Sequence, residues 1–128
     1  MRIYKTKIFR RWSRKQGMSD ASLSEAIARA ERGLIDAKLG HHLIKQRVGR
    51  EASGRRGGFR TVIAYRIGDR AVFLYGFAKN DQVNLSAADE RDMAETGALL
   101  LGLSLRALET MMEGNELWEV EYHGEDQN

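Results

Sequence analysis

The chain has 128 residues, of which 42% are hydrophobic, and this composition allows one domain with a single buried core. It contains no cysteine, which excludes disulfides and thiolate metal sites and agrees with a reducing cytoplasm. The longest apolar run, ALLLGL at 98–103, is far shorter than the roughly 20 residues of a membrane span. We therefore expect a soluble, cytoplasmic protein with no membrane contact.

Charge is divided unevenly along the chain. Residues 1–80 contain 19 Lys and Arg against 6 Asp and Glu, a net charge of +13, whereas residues 81–128 contain 2 against 12, a net charge of −10. Such asymmetry indicates contact with nucleic acid, because clustered cations release counterions from a phosphate backbone. Two solvated faces that pair with each other are the alternative. The cationic, glycine-rich stretch KQRVGREASGRRGGFR at 45–60 favours nucleic acid.

The N-terminal quarter predicts a strand followed by two helices. RIYKTKIF begins as a strand and continues into a helix from about Lys7 to Gln16, with Ile8 and Trp12 facing the core. SDASLSEAIARAERGL predicts a second helix behind a Ser/Asp start signal. The short turn between them favours a helical hairpin. The apolar positions of the second helix recur at helical spacing: Leu23, Ile27, Ala30 and Leu34.

The middle of the chain changes to a period of two. LIKQRV places Lys45 and Arg47 on one face of a strand and its uncharged residues on the other. FRTVIAYRI and RAVFLYGFA, joined by a Gly-Asp turn at 68–69, predict two further strands. Together the three strands form an antiparallel sheet, and DAKLGHH before them is predicted to be a loop.

The C-terminal third predicts two helices and an edge strand. Ser86 and Asp89 resemble a capping box at the start of the first helix, and SLRALETMM predicts a second helix. ELWEVEY alternates in polarity, so we expect an edge strand that packs Trp118, Val120 and Tyr122 against the body. The predicted fold class is therefore α+β.

Four cations are predicted to converge on one face of the sheet, because two alternate along the first strand and antiparallel pairing brings the others to the same end. They are Lys45, Arg47, Arg60 and Lys79. Among nearby aromatic residues, Tyr75 and Phe77 are the best candidates to stack on unpaired bases, although such residues more often belong to a core. Further RNA contacts are expected from six arginines of the first helix and the glycine-rich stretch: Arg10, Arg11, Arg14, Arg50, Arg55 and Arg56.

Motifs for nucleotide and metal sites are absent from the sequence. GREASGRRGG has the glycines of a phosphate-binding loop but lacks the Lys-Ser/Thr that ends one. His41, His42 and His123 lack the spacing and the partner carboxylates of a zinc site. We therefore expect neither a metal nor a cofactor.

The order of elements, together with IKQRV, GGFRT and RAVFLYGFAKN, resembles the RelE/ParE superfamily of bacterial toxins, and in particular its RelE-like, HigB-like branch. The resemblance covers about residues 3–113 of one domain at 1–128 and leaves an acidic C-terminal extension at 114–128. It implies a RelE-like fold, in which an N-terminal helical hairpin packs on a small, mainly antiparallel sheet and further helices follow.

The resemblance also implies a function. Such proteins are toxins of type II toxin–antitoxin systems that act as metal-independent endoribonucleases, cut messenger RNA on the ribosome and inhibit translation. The ribose 2′-OH attacks the adjacent phosphate, and the family's cations, which correspond to Lys45, Arg47 and Arg60, stabilise the developing charge. The implied partners are the ribosome, messenger RNA and a cognate antitoxin, expected to be a helix-turn-helix DNA-binding protein.

Two departures from the family pattern affect the site. Asn80 stands where the best-studied members have an arginine, which leaves Lys79 to supply that charge. The tyrosine that these members carry several residues later has no counterpart in NDQVNLS. Proton transfer therefore stays open between Tyr75, His42 and Lys45.

Two other functions remain as alternatives. One is a non-catalytic toxin of the ParE-like branch, which inhibits DNA gyrase with the same fold but generally lacks the convergent cations. The other is a basic nucleic-acid-binding module outside toxin–antitoxin biology.

Overall fold

The computed structural model describes residues 1–50, 54–78 and 86–124. Within these residues the chain is α+β, as predicted. Its elements in chain order are β1 (Arg2–Thr6), α1 (Lys7–Lys15), α2 (Asp20–Glu31), β2 (Ala37–Gly40), β3 (Leu43–Arg50), β4 (Gly54–Arg66), β5 (Arg70–Ala78), α3 (Ala87–Gly102), α4 (Leu105–Glu113) and β6 (Leu117–Val120).

The strands form one mixed sheet in the order β2-β3-β4-β5-β1-β6. The predicted antiparallel unit of β3, β4 and β5 is confirmed, and β6 is confirmed as an edge strand. β1 pairs parallel with β5, from Arg2 opposite Arg70 to Lys5 opposite Phe73, and antiparallel with β6. The first strand of the chain therefore lies inside the sheet.

The other edge strand, β2, occupies a segment that the sequence predicts as a loop, and that prediction is wrong. His41 and His42 adopt left-handed conformations, with φ of 54° and 63°, directly after Gly40 at φ 88°. This tight turn folds residues 37–40 back onto β3 in antiparallel register. Histidine is not among the residues that usually mark such turns, so no strong local signal predicts the hairpin.

One face of the sheet is covered by α1 and α2, whose buried residues pack against β3, β4 and β5. Phe9 is fully buried, with its ring centroid 5.0 Å from that of Phe73. The prediction that Ile8 faces the core is wrong, because Ile8 is 69% exposed. α1 follows β1 without a loop and is capped by Thr6. The direction in which β1 ends therefore decides which residues of α1 face the sheet.

The predicted boundaries of both N-terminal helices agree with the structure to within a few residues. Ser19 caps α2, and its buried side includes Leu23, Ile27 and Ala30. Leu34 was expected on that side but is 57% exposed, because it follows the end of the helix and the left-handed Gly33. The pairing of α1 with α2 as a hairpin stays a prediction.

The opposite face of the sheet is partly covered by α3 and α4. Leu100, Leu101 and Leu108 pack there against residues of β1, β4 and β5. The buried side chain of Arg70 caps the C-terminus of α3. Its Nη1 donates to the main-chain oxygens of Leu100 and Leu103 at 2.8 Å each. The last carbonyls of the helix thus meet a cation, which the helix dipole favours.

α3 begins as predicted, with a capping box between Ser86 and Asp89. α4 ends at Glu113, and β6 follows with Leu117 and Val120 buried on opposite faces of the sheet. No helix among the described residues is long and apolar enough to cross a membrane.

Candidate nucleic-acid interface

Strand pairing places five predicted site residues on one face of the sheet. Arg47 lies opposite Arg60 across β3 and β4, and Arg60 lies opposite Phe77 across β4 and β5. Lys45 and Tyr75 lie opposite the same residue of β4. Directly opposed residues of antiparallel strands point to the same face. We call this surface, formed by Lys45, Arg47, Arg60, Tyr75 and Phe77, the basic face.

The aromatic residues of the basic face form its apolar part. The rings of Tyr75 and Phe77 have centroids 6.2 Å apart and are tilted by 40°. The Nζ atom of Lys45 lies 5.9 Å from the centroid of the Phe77 ring, within the range of a cation–π contact. Phe77 is buried and Tyr75 is half-buried, so the ammonium group of Lys45 is held beside an aromatic surface.

The cations of the basic face have no acidic partners among the described residues. Lys45, Arg47 and Arg60 take part in none of the ion pairs within that part of the chain. Arg60 Nη1 is buried and lacks a hydrogen-bond partner among the same residues. A guanidinium N–H is a donor that suits a phosphate oxygen.

Comparison with known proteins identifies the fold's family. A family model described as the RelE toxin of the RelE/RelB toxin–antitoxin system matches residues 1–120. The chain belongs to the RelE toxin family. It is therefore a toxin of a toxin–antitoxin system, with an antitoxin as its partner, and the predicted resemblance is confirmed at this level. A search of curated proteins found no match to this chain.

In this RelE-family toxin the strand that carries Lys45 and Arg47 is held from behind by a buried glutamine. Gln46 is 0% exposed and points to the opposite face of β3. Its Nε2 donates to the main-chain oxygens of Ala26, at 2.9 Å, and Leu34, at 3.0 Å. Its Oε1 accepts from the main-chain N–H of Asp36 at 3.0 Å. The side chain thus connects β3 to α2 and to the segment that follows α2.

The main chain of Arg47 is held from both sides. Its N–H donates to Oδ2 of Asp36, and its carbonyl oxygen accepts from Nη2 of Arg29. Arg29 is in turn fixed by its Nε, which pairs with the Glu25 carboxylate at 3.1 Å. The guanidinium of Arg47 remains exposed, so its backbone is fixed while its charge stays accessible.

Sequence reasoning missed these supporting residues. The alternation of β3 had already placed Gln46 among its buried positions, and a glutamine there needs several hydrogen-bond partners. That was the available signal. The partners themselves come from α2 and from residues 34–36, and their approach to β3 is a tertiary contact.

The RelE-family toxin carries a second cationic surface on α1. The predicted RNA-contacting residues Arg10, Arg11 and Arg14 line a cavity of about 500 Å³ rather than the basic face. Lys7, Asn115 and Trp118 complete its lining, and the Arg10 guanidinium lies 4.3 Å from the centroid of the Trp118 ring. We call this cavity the α1 groove.

The remaining predicted residues are placed differently. His42 lines a cavity of about 530 Å³ between the β2–β3 turn and α3, whereas Tyr75 and Lys45, the other candidates for proton transfer, belong to the basic face. Among the described residues, no cluster of His, Cys, Asp and Glu could hold a metal ion. Four predicted cationic side chains lie outside the described part of the molecule: Lys79, Arg50, Arg55 and Arg56.

Proposed function

We propose that this RelE-family toxin is a metal-independent endoribonuclease that cleaves messenger RNA on the ribosome and thereby inhibits translation. The observation that carries the proposal is the direct opposition of Arg47, which is exposed, and Arg60, which is half-buried, with Lys45 beside them and no acidic partner within the described residues. Like charges at adjacent positions repel each other. A bound phosphate would attract both guanidinium groups and offset their mutual repulsion.

In the proposed reaction the 2′-OH of one ribose attacks the adjacent phosphorus. An O2′–P bond forms, the P–O5′ bond breaks, and the products carry a 2′,3′-cyclic phosphate and a 5′-hydroxyl. The proton of the 2′-OH passes to a base, and the departing O5′ takes up a proton. Lys45, Arg47 and Arg60 stabilise the extra negative charge of the crowded phosphate, which is greatest in the transition state. Lys79 is proposed to add a fourth charge.

Proton transfer is assigned to the residues of the basic face that can exchange a proton. Tyr75 and Lys45 both lie there, opposite the same residue of β4, whereas His42 lies in the β2–β3 turn. Tyr75 is therefore the proposed proton-transfer group, with Lys45 as the alternative. The cognate antitoxin is proposed to be a helix-turn-helix DNA-binding protein, and the ribosome and messenger RNA are the proposed targets.

Single-turnover cleavage of messenger RNA on programmed ribosomes, at saturating toxin, tests this function. We expect Lys45→Ala, Arg47→Ala and Arg60→Ala each to lower the cleavage rate by about 10²–10³, the typical cost of losing one transition-state donor. The matched control is Arg66→Ala, which removes an arginine from the same strand as Arg60, about 20 Å farther along it. Arg66→Ala should cut at the parental rate.

The outcomes separate the candidate functions. Equal rates for the parent and the three basic-face variants at saturation would contradict the catalytic assignment. A parent that never cuts RNA but blocks the supercoiling activity of DNA gyrase would support the non-catalytic alternative.

A further inference from the structure

The α1 groove is a candidate ligand site that is separate from the basic face. Its four cations occur at positions i, i+3, i+4 and i+7 of α1, which place them on one stripe of the helix. Asn115, between α4 and β6, and Trp118, in β6, form the opposite wall. A volume of about 500 Å³ is in the range of cavities that hold small ligands. The groove is therefore large enough for a phosphate with its attached sugar.

The charges of the α1 groove are not neutralised by the described part of the protein. Lys7, Arg10, Arg11 and Arg14 take part in none of its ion pairs. Glu119, next to Trp118 in the sequence, is instead bound by Arg2 on β1, with the Nη2–Oε2 distance at 3.1 Å. The groove thus presents four cations to solvent.

Trp118 gives this surface a defined geometry. The guanidinium of Arg10 lies over its ring, a contact that holds the arginine in place and leaves the N–H groups at the guanidinium edge available to oxygen acceptors. Planar guanidinium groups suit phosphate oxygens because they present two donors side by side. The favoured ligand is a phosphate group.

A second cavity connects the α1 groove to the basic face. It has a volume of about 360 Å³, is lined by Ile8, Lys15, Tyr75 and Phe77, and shares Arg11 with the α1 groove. Space exists here because the register of β1 with β5 stops at Phe73, where the chain turns into α1. The exposed Ile8 adds apolar surface to this route. Cations and apolar side chains therefore follow one another from Phe77 to Trp118.

We propose that a single strand of RNA held on the basic face continues over α1, and that a phosphate outside the cleaved bond binds in the α1 groove. The proposal rests on the proposed function, since it takes RNA as the ligand of the basic face. A continuous cationic route with aromatic ends fits a polymer of phosphates and bases. An acidic segment of a protein partner would need only the charges and not the connection to the basic face.

The test measures binding of 2′-O-methyl RNA, which cannot be cleaved by 2′-OH attack, to the toxin purified free of its antitoxin. Fluorescence anisotropy is recorded over a range of salt concentrations for strands of about 4 and about 16 nucleotides, the span of single-strand site sizes. We expect Lys7→Ala and Arg14→Ala to weaken binding of the long strand and to lower its salt slope by about 0.7, the value for one phosphate contact. Binding of the short strand should change little.

Two further variants serve as controls. Arg106→Ala removes an exposed arginine from α4, outside both cavities, and should leave the slope for the long strand unchanged. Trp118→Phe keeps an aromatic surface for Arg10, whereas Trp118→Leu removes it. Only Trp118→Leu should weaken binding of the long strand. Far-ultraviolet circular dichroism and the thermal unfolding midpoint identify any variant whose fold has changed.

Each result has a distinct meaning. If Lys7→Ala and Arg14→Ala bind both strands as the parent does, or weaken both equally, the groove assignment is wrong. Loss of antitoxin binding in these variants with unchanged RNA binding would assign the groove to an acidic protein segment instead. In both cases the proposed function stands if the parent still cleaves messenger RNA on ribosomes. If the parent neither binds nor cleaves RNA, both the proposed function and the groove assignment are wrong.

Discussion

The main-chain N–H of Arg47 donates a hydrogen bond to Oδ2 of Asp36 over a distance of 2.6 Å. The residue that supplies a proposed catalytic charge is thus positioned by a carboxylate that approaches its backbone. A direct pair between that carboxylate and the Arg47 guanidinium would neutralise the charge that the phosphate needs. Asp36 is therefore a positioning residue in the proposed reaction.

The first prediction concerns this contact. Asp36→Ala removes the acceptor and loosens β3 at Arg47, so the single-turnover cleavage rate at saturating toxin should fall by about 10-fold to 100-fold, as small misplacements of catalytic groups do. Binding of 2′-O-methyl RNA should change less than the rate. Asp36→Asn keeps an oxygen acceptor and should restore most of the rate. Equal losses in Asp36→Asn and Asp36→Ala would argue for an effect of charge rather than of position.

Gln46 provides the second prediction. Gln46→Leu keeps a side chain of similar size but removes the hydrogen bonds that Gln46 makes with the N–H of Asp36 and the carbonyls of Ala26 and Leu34. Only the bond to Ala26 is fully buried, and a buried polar group left unsatisfied costs about 1–3 kcal/mol, so the free energy of unfolding in urea should fall by about that amount. Gln16→Leu, at an exposed position after α1, is the control and should change it by less than about 0.5 kcal/mol.

The third prediction concerns the close approach of α1 to β5. A Cβ atom added at Gly76 would overlap the indole ring of Trp12. Gly76→Ala should therefore lower the free energy of unfolding by about 1–3 kcal/mol, the usual cost of overpacking. Gly102→Ala is the matched control, since no heavy atom lies within 4 Å of the added carbon there. Adding Trp12→Leu to Gly76→Ala should make the two effects non-additive, and strict additivity would exclude the clash.

Alkaline pH supplies the fourth prediction. Tyr65 donates its phenolic hydrogen to Glu31 Oε2 at 2.5 Å, and the same oxygen accepts from the N–H of Gly68 at 2.9 Å. Burial, and then the hydrogen bond to Glu31, raise the pKa of Tyr65 above its ordinary value. A raised pKa means that the folded state favours the protonated phenol. Its contribution to stability is therefore complete below pH ~10, where tyrosine in the unfolded chain ionises, and is lost as the pH rises further.

Urea denaturation from about pH 8 to pH 11 measures this effect. The parent should lose stability above pH ~10, and Tyr65→Phe should lose it less steeply. Part of the decline should remain in both proteins, because burial also raises the pKa of Tyr4. Parallel curves for the parent and Tyr65→Phe would show that Tyr65 does not contribute.

The fifth prediction tests the C-terminal strand. Leu117 is 1% exposed in β6, whereas Leu105 is 52% exposed at the start of α4. Leu117→Ala should lower the free energy of unfolding by about 2–5 kcal/mol, as at other buried leucines. Leu105→Ala should lower it by less than about 0.5 kcal/mol. Similar values for the two variants would mean that β6 packs only loosely on the sheet.

The parts of the fold that the sequence predicted correctly are those with local signals. The alternation at Lys45 and Arg47, the Gly-Asp turn, and the caps at Ser86 and Ser19 depend on neighbouring residues, and all agree with the structure. The convergence of Lys45, Arg47 and Arg60 followed from antiparallel pairing alone. Their role in RNA cleavage was implied by the resemblance to RelE toxins and remains a proposal.

The errors occur where distant parts of the chain decide the outcome. Ile8 and Phe9 are both apolar neighbours in α1, and only the docking of α1 on Phe73 and Gly76 decides which of them is buried. The parallel pairing of β1 with β5 likewise joins residues that no local pattern connects. The Gln46 network belongs to the same class, since its partners belong to α2 and to the segment that follows it.

The interior position of β1 also constrains how the protein is made. Arg2 pairs with Arg70, and Ile3 pairs with Val120. β1 can therefore complete its pairing only after β5 and β6 have been synthesised. At about 5–20 residues per second, β1 emerges several seconds before β5 is complete. The β3–β5 strands follow one another in sequence and can pair as soon as they leave the ribosome, so we expect the basic face to form early in co-translational folding. Closure of the sheet comes last, after the ribosome has added residue 120.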